Sequence, residues 1–351
     1  MRRSDITSVG FPNGSIGKVM TVLGPVPASE LGAVTMHEHL HLDQYAEAEG
    51  TTPPDRVALL RDVGIPALRS LHAHGCHTLV DATPMPMRAE PWVYAMLARE
   101  AHLHIVLATG FYREAWERES WEYAGCPTYP HRWMDRRVAA WDVESLADLL
   151  VQECEQGIRG SDVRAGIIKL ASTRTAFTPL EEKAFRAGAV AQRRTGLCVT
   201  THVEPALEPL ASPVAQLDLL EAAGADPSRV ILGHVQPHLL RMPGEVRQCL
   251  DRGASLCITN LQAEGNDSYW RAVVDAIRRL FDAGFGDRLT LGLDWAFDNV
   301  TGPFAPCSWM PLPPYVYLFE RVLPKWKEFG LTDDEVTQML VRNPVRLLPR
   351  V

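Results

Sequence analysis

A (β/α)8 barrel, an α/β architecture, is the fold that this 351-residue sequence predicts. Three observations carry the prediction. Eight short apolar runs recur along the chain, and amphipathic stretches of helical spacing separate them. Histidine, lysine or aspartate then sits at the ends of several runs, where a barrel would gather them at one mouth.

The runs, in order, are AVTMHEH at Ala33, HTLVDAT at Thr78, HIVLATG at Ile105, AGIIKLA at Ile167, LCVTTHV at Val199, RVILGHV at Ile231, ASLCITN at Leu256 and LTLGLDW at Leu291. Several are nearly continuous in apolar residues, as expected for parallel strands filled on one side and covered by helices on the other. Stretches such as DRVALLRDVGIPALRSLHAHG, EPWVYAMLAREAH, PLEEKAFRAGAVAQRRTG and DSYWRAVVDAIRRLFDAG, with apolar residues at helical spacing and glycine at the stop, read as crossover helices. The tail LTDDEVTQMLVRNPVRLL begins with a Thr cap and reads as a closing helix. Two connections are long: Phe111 to about Ala140, rich in Trp, Tyr and Arg, and Ala296 to Tyr315, rich in Pro. They follow the third and eighth strands, on the face where barrel enzymes bind substrate. With no repeat or linker, residues 1–351 read as one barrel domain with a short N-terminal extension.

Composition narrows the function. The formal charge is -8, from 43 acidic and 35 basic residues spread along the chain, so no basic stripe exists to neutralise a polynucleotide. No apolar run approaches the roughly 18 residues of a membrane span. The opening MRRSDITSVGFPNGSIG lacks the apolar core of a signal peptide, and seven cysteines without a CxxC pattern fit reduced thiols. These features predict a cytoplasmic protein with a small-molecule substrate and neither nucleic acid nor membrane as partner.

The chemistry concentrates at strand ends. His37 and His39 flank Glu38 at the end of the first strand, and residues two apart on a strand share a face, so both imidazoles can reach one metal while Glu38 points away. Lys169 lies in the fourth strand, His202 in the fifth, His234 in the sixth and Asp294 in the eighth. Nitrogen and carboxylate donors of this kind suit zinc, manganese, cobalt or iron. A lone strand-end histidine more often serves hydrogen-bonded structure, and Lys169 could pair with Asp294 without a metal. A lysine within GIIKLA must be paired, neutral or modified, however, and such a pair leaves four strand-end histidines unexplained.

MHEHL, ATGFY, GIIKLAS, TTHVEP, ILGHVQP, LGLDW and the RNPVRLL tail together resemble the phosphotriesterase-like branch of the amidohydrolase superfamily, which includes phosphotriesterases and lactonases. The resemblance spans nearly the whole chain. It implies a TIM barrel with a site of two divalent metals, zinc foremost, bridged by Lys169 carboxylated to a carbamate. His37, His39 and Asp294 would hold the more buried metal; His202 and His234 would hold the more exposed one. A metal-bridging hydroxide would then attack the substrate while Asp294 accepts its proton.

Tyr112, after ATGF, resembles an aromatic position lining the metal site of lactonase-like relatives, where its hydroxyl could orient a carbonyl; packing with Phe111 and Trp116 is the alternative. Arg113, Asn260 and Asp298 are polar loop residues that could face substrate, without a predicted geometry. His41 could support the metal motif or lie at the surface, and His72, His74 and His77 read as structural. Lactone or carboxylic ester hydrolysis is the expected reaction, on the strength of Tyr112 and the apolar loops. Phosphotriester or amide hydrolysis on the same site is the alternative, and a metal-retaining binding barrel without turnover is the non-enzyme one. No GxSxG elbow supports a serine hydrolase. Apolar outer segments leave a homodimer open.

Overall fold

The computed structural model describes residues 17–43, 49–114, 134–205, 208–259, 261, 266–298, 305–306 and 313–350. Eight parallel strands form one sheet in sequential order: β1 (Ala33–Glu38), β2 (Cys76–Asp81), β3 (His104–Gly110), β4 (Ile167–Ser172), β5 (Val199–Val203), β6 (Val230–Gly233), β7 (Ser255–Ile258) and β8 (Leu289–Leu291). Each coincides with one of the eight apolar runs. Helices cross between them, among them Pro91–Ala101, Pro179–Thr195 and Asp267–Asp282. Thr178 starts the second of these by accepting from the Glu181 N–H while Glu181 returns a bond to the Thr178 N–H, a reciprocal cap that satisfies two orphan donors.

No ladder joins β1 to β8; the sheet closes just beyond them through backbone bonds. The Asp294 N–H donates to the His37 carbonyl at 2.8 Å, and the His39 N–H to the Trp295 carbonyl at 2.8 Å. A side chain on Gly292 could not fit there, because a Cβ would lie 2.7 Å from the His37 nitrogen.

Strand alternation divides the core in two. Ile168 and Leu170 of β4, like Val199 and Val203 of β5, pack outward in the main core with the helices. Ile167, Ile231 and Cys257 belong to a second cluster that Val19, Leu31, Val345 and Leu347 complete. Each fully buried Leu or Ile stabilises the fold by roughly 1.5–3 kcal/mol. Lys169, between two outward residues, therefore faces inward with Ile167.

Three features stand among the elements that were not named from sequence. Residues Lys18–Thr21 and Gly24–Pro27 form an antiparallel hairpin, too short and proline-bearing to stand out by pattern. A helix Val143–Glu155, capped by Asp142, follows the long connection after β3. Phe297–Asp298 pairs with Ala305–Pro306 inside the connection after β8. The expected closing helix is three consecutive short pieces, Asp333–Thr337, Gln338–Arg342 and Asn343–Leu347, with Thr332 as its cap. Trp116, Asn260, most of both long connections and the N-terminal residues 1–16 lie outside the described residues.

Cys76, Cys154, Cys198, Cys249 and Cys257 are buried free thiols. Burial pushes Cys76, Cys249 and Cys257 up to about 12 and Cys198 up to about 11, and raises Cys154 further. Among the described residues, no helix is long and apolar enough to cross a membrane.

Candidate metal centre

All six candidate ligands meet at the carboxyl ends of the strands. Register explains how: Lys169 lies beside Gly110 of β3 and Thr200 of β5, while His202 lies beside Gly233, one residue before His234. Gly110, at φ +130, is required there, since a Cβ would fall 1.9 Å from the Lys169 carbonyl oxygen. The Lys169 Nζ lies 2.7 Å from His37 Nε2. Asp294 Oδ1 is 3.2 Å from His39 Nε2 and 3.6 Å from His37 Nε2, and its Oδ2 is 3.8 Å from His234 Nδ1. The His234 ring lies 4.6 Å from that of His37 and 4.3 Å from that of His202.

Two of these side chains are held by unusual backbone. His234 and Asp294 have φ of 61° and 62°, the left-handed region that costs a non-glycine residue about 1–3 kcal/mol. The surrounding bonds hold them in it. Glu38 points away from the cluster, as expected, and its carboxylate accepts the Leu293 N–H at 2.8 Å and the Trp295 N–H at 2.9 Å. Thr259 Oγ1 meets His234 Nδ1 at 2.6 Å. Thr83 Oγ1 meets His39 Nδ1 at 2.8 Å, and Asp81 in turn accepts the N–H groups of Thr83 and Leu40.

Burial decides the charge state of the nitrogens. It lowers Lys169 to about 7 and His202 to about 4, and holds His37 and His234 well below the usual imidazole value. Neutral imidazoles are the form that binds metal. The His37 Nδ1 is buried without a hydrogen-bond partner among the described residues, and its Nε2 faces an amine across 2.7 Å. At that separation one nitrogen donates a hydrogen to the other's lone pair. His37, His234 and Asp294 offer ligand atoms all within 4.8 Å of one another, so this donor set fits a divalent metal. Side-chain exposure does not separate the two ligand sets expected from the resemblance: His37 and His234 are both at the floor, while Asp294, at 18%, is the most open.

Tyr112 stands beside His202, ring to ring at 5.6 Å in edge-on geometry, and burial pushes its hydroxyl up to about 12. Arg113, named from sequence as a polar loop residue that could face substrate, is instead fully buried, pairs with Glu204 and lies over the Tyr112 ring at 5.1 Å. Glu204 also meets His202 Nε2 at 3.3 Å. Its position in TTHVEP, two residues past a strand-end histidine, was the available signal. Thr83, Thr259 and Asp81 had none, because threonine and aspartate at strand ends are common. His41 is buried, not at the surface, and burial lowers it to about 4.

A closed parallel barrel and a histidine-rich mouth of this kind define the class of the protein: it is a barrel hydrolase. Within that class the chain belongs to the phosphotriesterase family, whose model matches residues 17–348. It is 30% identical over 340 residues to the phosphotriesterase homology protein of Mycobacterium tuberculosis, covering 94% of this chain and 97% of that one. It is 24% identical over 368 residues to the N-acetyltaurine hydrolase of Danio rerio, covering 95% and 98%. Among solved structures, a mutant of a PTE-like lactonase from Deinococcus radiodurans superposes with a TM-score of 0.75 at 30% identity, over 94% of this chain and 99% of that one.

Proposed function

We propose that the chain is a binuclear-metal hydrolase of lactones or carboxylic esters, with Lys169 carboxylated to a bridging carbamate. The observation that carries this reading is the buried contact between the Lys169 amine and His37 Nε2 at 2.7 Å, within a cluster of histidines and Asp294. A buried amine there is costly as a cation, and conversion to a carbamate turns it into an anionic ligand. His37, His39 and Asp294 would hold one cation, and His202 with His234 the other. When bound, the two cations supply Lewis acidity that brings the pKa of water toward neutrality and polarises the scissile carbonyl.

The chain's own groups do the rest. Asp294, the most open ligand side chain, takes the proton of the attacking water and passes it toward the leaving group. Tyr112, edge-on to His202, directs its hydroxyl toward the carbonyl oxygen; a phenol raised to about 12 stays protonated and donates. The lactonase among the structural relatives supports a cyclic ester. An amide is the second reading, favoured by the N-acetyltaurine hydrolase relative.

A panel of lactones, aryl esters, N-acyl amino sulfonates and phosphotriesters, run on chelated and on zinc-, cobalt- or manganese-reconstituted protein, tests both. Lactone turnover that chelation abolishes and metal restores is expected. Turnover that survives chelation overturns the metal reading, and a preference for the N-acyl compounds selects the amide.

A further inference from the structure

Three of the candidate histidine ligands have their second ring nitrogen engaged, and His202 differs from the others in how. His39 and His234 use Nδ1, each against a neutral threonine hydroxyl, at 2.8 Å and 2.6 Å. His202 uses Nε2, against the Glu204 carboxylate at 3.3 Å. Glu204 is itself paired with Arg113, and the two side chains are 1% and 0% exposed.

Burying a carboxylate and a guanidinium is costly unless the two pair closely. Among the described residues this buried ion pair meets the ring of His202, and the same guanidinium lies over Tyr112. We propose that Glu204, anchored by Arg113, is the positioning residue that holds the His202 proton on Nε2 and so leaves Nδ1 as the nitrogen offered to a cation.

A carboxylate behind an imidazole also makes it a more basic ligand than a hydroxyl does. The half of the centre built on His202 therefore depends on Glu204, while the half built on His37 and His39 does not. Arg113 acts on the His202 half twice, keeping Glu204 in place and lying over Tyr112, which stands edge-on to the same ligand. The inference rests on the metal reading proposed above.

Glu204→Met alone would strand a buried cation, so the test uses the double variant Glu204→Met/Arg113→Met beside the wild-type chain. Nitrogen-15 NMR of labelled histidines in the metal-free proteins reads the tautomer, and chelator competition with zinc reads affinity at each site. Expected are an Nε2-protonated His202 in the wild type, loss of that preference in the double variant, and a drop of about 10–100-fold in affinity at one site only. An Nδ1-protonated His202 in the wild type overturns the assignment. So does a double variant that binds two zinc ions as tightly as the wild type, and in that case the metal reading stands. A wild-type chain that takes up no metal overturns both.

Discussion

Glu38 and Asp294 are bound together without touching the same ligand: the Glu38 carboxylate accepts the N–H groups on either side of Asp294, at 2.8 Å and 2.9 Å. This one side chain thus adds to the backbone bonds that close the barrel seam and brackets Asp294 in left-handed backbone. In Glu38→Gln the carboxamide nitrogen confronts one of those N–H groups, donor against donor. The expected loss is about 1–3 kcal/mol of stability, read as a lower urea midpoint, together with weaker zinc binding. An unchanged midpoint would show that the bracket holds nothing.

Lys169→Met separates stability from function. The metal-free variant loses a desolvated amine and gains an apolar chain of similar length, at the cost of the contact with His37 Nε2. The first effect outweighs the second, so metal-free protein gains roughly 1 kcal/mol of stability, read as a higher urea midpoint. Zinc affinity falls by at least about 100-fold, beyond what loss of a supporting group causes. Full metal uptake by this variant would remove Lys169 from the centre.

Asp294→Asn keeps volume and removes proton acceptance. With metal content verified by elemental analysis, kcat on the best lactone is expected to fall by about 100-fold or more. Unchanged kcat at full loading would assign proton transfer elsewhere.

The legible part of the site was the part that sequence places at strand ends. His37, His39, His202, His234 and Asp294 could be named because each closes an apolar run, which a barrel maps to one mouth, and Lys169 because a lysine inside such a run demands a partner or a modification. Glu38 was legible in direction but not in partner, because its two bonds reach residues 255 and 257 positions away. The Glu204–Arg113 pair escaped for the same reason, joining residues 91 positions apart across two loops. Local propensity could not find the hairpin at Lys18–Thr21, whose pairing rests on four residues a side.

Acid sensitivity should arise partly at the opposite end of the strands. Burial holds His104 below the usual 6.5, with His72 adding to the effect and Glu30 opposing it. His77, stacked on His72 at 4.8 Å, is lowered by burial, His72 and His104. Folded pKa values below the unfolded one mean that the unfolded chain binds more protons in the window beneath 6.5. Stability is therefore fully present above that value and is lost as pH falls through the folded values. Urea midpoints measured between about pH 7 and pH 5 should fall, and His104→Gln should flatten that fall. A variant with the wild-type slope would place the sensitivity in other groups.

The sulfur chemistry of the chain bears on how the metal centre can be studied. Thiols seated this deep stay protonated at neutral pH, and a thiol in that form competes poorly for zinc or cobalt. Seated away from solvent, Cys76, Cys154, Cys198, Cys249 and Cys257 present no open face to metal added to the folded protein, so a thiolate charge-transfer band in a cobalt spectrum would not come from any of these five.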